Sequence, residues 1–107
     1  MNYPHYSGDP ASETEWFDAL IRLARFLRGP GGCPWDREQS SGDFAGFIRN
    51  EGAELSDALA SGDNKHASEE FGDTIFTILA TAAAAEVEGR FTLEDALREA
   101  HAKMIRR

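Results

Sequence analysis

Residues 50–85 read NEGAELSDALASGDNKHASEEFGDTIFTILATAAAA, from Asn50 to Ala85, and this stretch decides the fold. It holds two acidic pairs at helical spacing, Glu51/Glu54 and Glu70/Asp73, on either side of the turn-forming Ser61-Gly62-Asp63-Asn64. The flanks predict one helix from about Ser41 to Ala60 and another from about Lys65 to Glu88. In the first, Phe44, Phe47, Ile48, Leu55, Ala58 and Leu59 share a face at about 100° per residue. Glu51 falls in the middle of that apolar stripe and Glu54 at its edge. Gly52 costs this helix about 1 kcal/mol relative to Ala, which leaves room for a close neighbour against its backbone. In the second helix, Phe71 to Ala85 is apolar or small on every side, and Asp73 is its only charge. A helix without a polar face is buried all round. A chain of this size has few other helices to enclose it, so one side is expected to pack against a second copy of the chain.

Outward from this hairpin, the pattern stays helical. Residues 1–11, with Pro4, Gly8 and Pro10, read as a loose N-terminal arm, and residues 12–107 as one domain. Ser12 with Glu15 gives a capping box. Trp16, Phe17, Leu20, Ile21, Ala24 and Leu27 follow on one face of a first helix, which Gly29-Pro30-Gly31-Gly32 ends after Arg28. The loop to Gln39 carries Cys33-Pro34-Trp35-Asp36. Trp35 there is either a flat surface for a base or a plug over the core, and the general burial of aromatic side chains favours the plug. Beyond Gly89, Thr92 and Asp95 cap a last helix through Leu93, Ala96, Leu97, Ala100 and Met104, with Lys103, Arg106 and Arg107 in its final turn. No alternating strand pattern is present. The expected fold is all-α, a four-helix bundle-like domain that dimerises through its apolar third helix.

Charge narrows the function. The 107 residues carry 11 Lys+Arg against 19 Asp+Glu, a formal charge of −8. That balance disfavours binding to a nucleic-acid polymer or an anionic membrane. It leaves room for a small anionic substrate if a bound metal supplies local positive charge. The single cysteine, Cys33, forms no internal disulfide, the N-terminus lacks the pattern of a signal peptide, and Phe71–Ala85 is too short to span a bilayer. A cytoplasmic setting is expected.

Acidic spacing alone is weak. With 19 acids in 107 residues, chance gives about three pairs at i, i+3, and a solvated helix face is their usual meaning. Position in the apolar pattern changes the reading. An ionised carboxylate withdrawn from water costs several kcal/mol unless a partner or metal compensates it. A short turn sets the two helices antiparallel and brings the pairs level, where four carboxylates repel each other without a cation. Oxygen-only ligation suits Mg²⁺, with Mn²⁺ as a substitute. A di-iron site needs Glu-x-x-His, which is absent, and His5, His66 and His101 read as surface residues.

Taken in order, these residues resemble the MazG-type nucleoside triphosphate pyrophosphohydrolases, a branch of the all-α NTP pyrophosphatases. The likeness runs from Trp16 to Arg107. It comprises Leu27-Arg28-x-Pro30, Gly32-Cys33-Pro34-Trp35-Asp36-x-x-Gln39, Glu51-x-x-Glu54, Glu69-Glu70-x-Gly72-Asp73, Glu88-Gly89-Arg90-Phe91 and Lys103-x-x-Arg106-Arg107. The resemblance implies that Glu51, Glu54, Glu70 and Asp73 bind Mg²⁺, with Glu51 or Glu54 also orienting or activating the water. It implies that Lys103 and Arg107 meet the triphosphate of a nucleoside triphosphate substrate. It also places Trp35 and Asp36 near the nucleotide, reversing the preference for a plug. The implied reaction is attack of water on the α-phosphorus, giving a monophosphate and pyrophosphate, in a homodimer or a pair of dimers. The chain departs from the family pattern at Asn50, Ala53 and His101 and in lacking a His-Pro segment after Arg107. These departures motivate an alternative: a catalytically weakened helical dimer that binds a nucleotide or a protein partner.

Overall fold

The structure, a computed structural model, describes residues 10–107. Residues 1–9, most of the expected arm and with it His5, lie outside the described residues. The rest is helical: α1 (Glu13–Arg28), α2 (Pro34–Glu38), α3 (Ser41–Ser61), α4 (Asn64–Val87) and α5 (Leu93–Arg106), with no strand among the described residues.

Helix starts follow local chemistry. Ser12 Oγ accepts from Glu15 N at 3.1 Å and Thr92 Oγ1 from Asp95 N at 3.1 Å. Glu15 Oε2 accepts from Ala11 N (3.0 Å) and from the Ser12 hydroxyl (3.4 Å) rather than from the Ser12 backbone N–H, so the backbone half of the box is displaced by one residue. Asp63 caps α4 through His66 N at 3.1 Å. A complete capping box sits at Ser40/Asp43, just ahead of the expected start of α3. Each such cap contributes about 1 kcal/mol. Gly62 closes α3 in the left-handed conformation (φ 81°), which only glycine adopts without penalty.

One expectation needs correction. A fifth helix exists where a loop was expected: Pro34 at its first turn supplies a preset φ, and α2 runs for one turn. The apolar helix α4, as expected, is not enclosed on every side by its own chain. It lies between α1 and α3, its principal neighbours. Leu20, Ile21 and Ala24 of α1 meet Ile75, Phe76, Leu79 and Ala83. Phe44 and Phe47 of α3 meet Ala80 and Ala84. The alanine run 82–85 is buried and lets both neighbours approach closely. Phe71 (55% exposed) and Ile78 (45%) nevertheless face outward.

Apolar faces are also bare elsewhere. Trp16 of α1, Leu59 of α3 and Leu97, Met104 and Ile105 of α5 are exposed, and α5 has no buried residue. Phe44 and Leu79 are the large side chains in a core otherwise built of alanine. No helix among the described residues is long and apolar enough to cross a membrane.

Candidate metal centre

The α3–α4 hairpin is fastened at both ends. At the turn, Asp63 caps α4. At the open end, Glu88 accepts from Ser41 N (2.9 Å) and Ser41 Oγ (2.6 Å), covering the first turn of α3 with a carboxylate. These bonds hold the Glu88 carboxyl below its usual range. Register between the helices is thereby set, and with it the meeting of the acids halfway along.

Glu51, Glu70 and Asp73 each offer a carboxylate oxygen within 4.8 Å of the others. Glu51 Oε2 and Glu70 Oε2 are buried and make no hydrogen bond. A buried oxygen without a donor is costly, and here there are two, side by side. Burial raises the Glu51 carboxyl, and the charges of Glu54 and Asp73 raise it further. Burial is also the main cause for Glu70, followed by the neighbouring Glu54 carboxyl and the charge of Asp73; His66 opposes them. The structure thus brings three of the four expected acids into one set, with Glu54, exposed on α3, facing Glu70 from beside it.

An all-oxygen, all-carboxylate donor set with two unpartnered buried oxygens fits a hard divalent cation. Thr74 and Thr77 add order by donating their hydroxyls to the Glu70 and Asp73 carbonyls, both at 2.8 Å. His66, read from sequence as a surface residue, is exposed but lies 3.9 Å from Glu70. Its i, i+4 spacing to Glu70 was the signal that the sequence reading passed over.

Beside the acids opens a cavity of about 420 Å³, lined by Leu27, Cys33, Trp35, Asp36, Phe44, Phe47, Glu51, Phe76, Thr77 and Ala80. Its volume falls in the range of small-molecule sites, and Glu51 belongs to both cavity and cluster. Trp35 lies nearly parallel to Phe47 (centroids 6.0 Å, 16°) and edge-on to Phe44 (6.1 Å, 78°). It is 54% exposed, so it forms a wall of the cavity rather than a plug. Asp36 is buried beside Arg28, and burial raises its carboxyl against the opposing charges of Arg28 and Arg37. Lys103 and Arg107 are exposed on the last turn of α5 and just after it. No ion pair among the described residues joins either of them to the acids.

An all-helical domain built around a carboxylate cluster beside an aromatic cavity has known relatives. Residues 39–107 match the MazG nucleotide pyrophosphohydrolase domain model. Over 91 residues the chain is 34% identical to the nucleoside triphosphate pyrophosphohydrolase/pyrophosphatase MazG of Thermotoga maritima, covering 85% of this chain and 36% of that protein. It is 36% identical over 91 residues to the nucleoside triphosphate pyrophosphohydrolase of Escherichia coli K12 (84% and 35%). The protein YabN of Bacillus subtilis is 37% identical over 91 residues (85% and 19%). The chain spans between a fifth and about a third of the length of these relatives. It belongs to the MazG nucleotide pyrophosphohydrolase domain family, and the Thermotoga maritima and Escherichia coli relatives are named as nucleoside triphosphate pyrophosphohydrolases.

Proposed function

We propose that this domain is a Mg²⁺-dependent nucleoside triphosphate pyrophosphohydrolase, releasing a nucleoside monophosphate and pyrophosphate. The observation that carries this reading is the convergence of Glu51, Glu70 and Asp73, with two buried oxygens lacking any partner. These three residues, with Glu54, would hold the ion, Mn²⁺ being a substitute. When bound, the ion supplies positive charge against which phosphate oxygens are neutralised.

The chain's own groups divide the remaining work. Trp35, Phe44 and Phe47 offer faces to the base, and Asp36 lies against the same cavity. Glu51 and Glu54 are the candidates to orient the water and take its proton as its oxygen attacks the α-phosphorus. The α-phosphorus–bridging oxygen bond then breaks, and pyrophosphate leaves with that oxygen. Glu54 is favoured for the proton because it is exposed and outside the trio, whereas Glu51 commits a buried oxygen to it. Lys103 and Arg107, four residues apart on the basic end of α5, are the cations we assign to the triphosphate.

We further propose a homodimer, or a pair of dimers, that covers the outward face of α4 and the apolar face of α5. Exposed Phe71, Ile78, Leu97 and Met104 support it. The second reading, a nucleotide-binding module without turnover, draws on Asn50 and on the lack, among the described residues, of an ion pair from Lys103 or Arg107 to the acids. Incubation with Mg²⁺ and a panel of ribo- and deoxynucleoside triphosphates, with detection of monophosphate and pyrophosphate, decides between them. Binding without turnover of any nucleotide would leave only the module.

A further inference from the structure

Arg28 ends α1 with its side chain almost wholly withdrawn from solvent (11% exposed). Its Nη1 donates to the Asp36 carbonyl at 2.6 Å and to the Gln39 carbonyl, and lies 3.9 Å from Asp36 Oδ1. Both carbonyls belong to the C-terminal end of α2: that of Asp36 also accepts from Gln39 N at 3.0 Å, and that of Gln39 lies at the cap itself. A five-residue helix has no stability of its own. The fastening is reciprocal: Arg37 Nη1 donates to Gly29 O at 2.9 Å, and Cys33 N to Leu27 O at 2.9 Å. Gly32 completes it, since a Cβ there would run into the Phe26 and Leu27 carbonyl oxygens. Trp35 sits on this segment and is more than half exposed. Its backbone is held by the ties between α2 and α1, while its ring lies against Phe44 and Phe47 of α3.

We propose that Arg28 is a positioning residue: by holding the end of α2 it fixes Trp35 as a wall of the cavity beside Glu51, so nucleotide affinity depends on it more than the chemical step does. The affinity part rests on the reading of that cavity as the base site. The clamp itself does not. Arginine suits the task because the two N–H groups of Nη1 are held in the guanidinium plane, one for each carbonyl, whereas lysine presents a freely rotating point charge.

The test uses a Trp16→Phe background, in which Trp35 is the sole tryptophan of the chain. Into it go Arg28→Ala and Arg28→Lys, with helical content followed by circular dichroism. Without nucleotide, Arg28→Ala should red-shift Trp35 emission and increase its quenching by acrylamide, with Arg28→Lys intermediate. With nucleotide, KM should rise about tenfold, the loss of one base–aromatic stack, while kcat stays within about threefold. If Arg28→Ala does not fold, Arg28→Lys carries the same comparison. Unchanged Trp35 emission and quenching would overturn the clamp, and a fall in kcat at constant KM would overturn the dependence of affinity on it. Should the Trp16→Phe parent turn over no nucleotide, the proposed activity falls, and the fluorescence alone still decides the clamp.

Discussion

At the scale of single residues, the acids of α3 and α4 carry an internal conflict that has measurable consequences. Glu51 and Glu70 are raised by burial and by neighbouring carboxylates. A carboxyl raised in the folded state favours folding while protonated. That contribution is present below the ordinary value of 4.5 and is lost as pH climbs through the higher folded values. Without a divalent ion the protein should therefore gain thermal stability from this pair on mild acidification, against the trend of its other carboxylates. At neutral pH Mg²⁺ should stabilise it, by about 2.7 kcal/mol at a hundredfold excess over Kd. Glu70→Gln should raise the melting temperature of the metal-free protein and erase the Mg²⁺ response, both read by calorimetry. A Mg²⁺ response that survives Glu70→Gln would remove Glu70 from the ligand set. Glu54→Ala and Asp73→Ala should each abolish turnover with helicity and oligomeric state intact, as checked by pyrophosphate release and circular dichroism. The placement of Glu51 and Asp73 against the apolar pattern was visible in the chain. That Glu54 would stand beside the trio rather than within it was not, because side-chain direction one turn further along depends on how α4 is rotated.

At the scale of elements, helix ends were the most legible feature. Caps at Ser12 and Thr92 act within three residues of the chain, so spacing alone finds them, whereas at the turn spacing left Asp63 and Asn64 both open and the structure has Asp63 as the cap. The helix α2 was missed because a single turn has no periodicity to read, and what holds it is Arg28 on another element. Gly52 gives a direct check of helix energetics. A Cβ there meets nothing within 4 Å in the chain, so the close neighbour allowed for is not supplied by the chain itself. Gly52→Ala should stabilise the protein by about 1 kcal/mol, a rise of about 4–8 °C for a domain near this size. A lower melting temperature would reveal a neighbour outside the chain. Glu88 gives the complementary pH test. Its carboxyl is held low by Ser41, so its contribution exists above the unfolded value near 4.5 and fades as pH falls through the lower folded one. Glu88→Gln should therefore lose stability at neutral pH and flatten the acid limb of the unfolding profile.

At the scale of the whole molecule, the thinness of the core stands out. Alanines make up most of what is buried, while Trp16, Phe71, Ile78, Leu97 and Ile105 are exposed. Large apolar side chains exposed on several helices point to contact surfaces, and a domain of about a hundred residues has little core to spare. Light scattering on the purified protein should give a dimer or tetramer. Ile78→Asp, on the outward face of α4, should shift it towards monomer and lower its melting temperature. A wild-type protein that is monomeric and fully stable at micromolar concentration would contradict the proposed assembly.

The chain by itself determined the all-helical class, the ends of the long helices and the acidic spacing, because caps, turns and periodicity act over a few neighbouring residues. Only the tertiary structure decided that Glu51, Glu70 and Asp73 meet within 4.8 Å, that two of their oxygens are left without donors, and that Trp35 walls a cavity. Those facts depend on the register of α3 against α4 and on a clamp from α1. Contacts between residues far apart in the chain set both, and no local pattern records them.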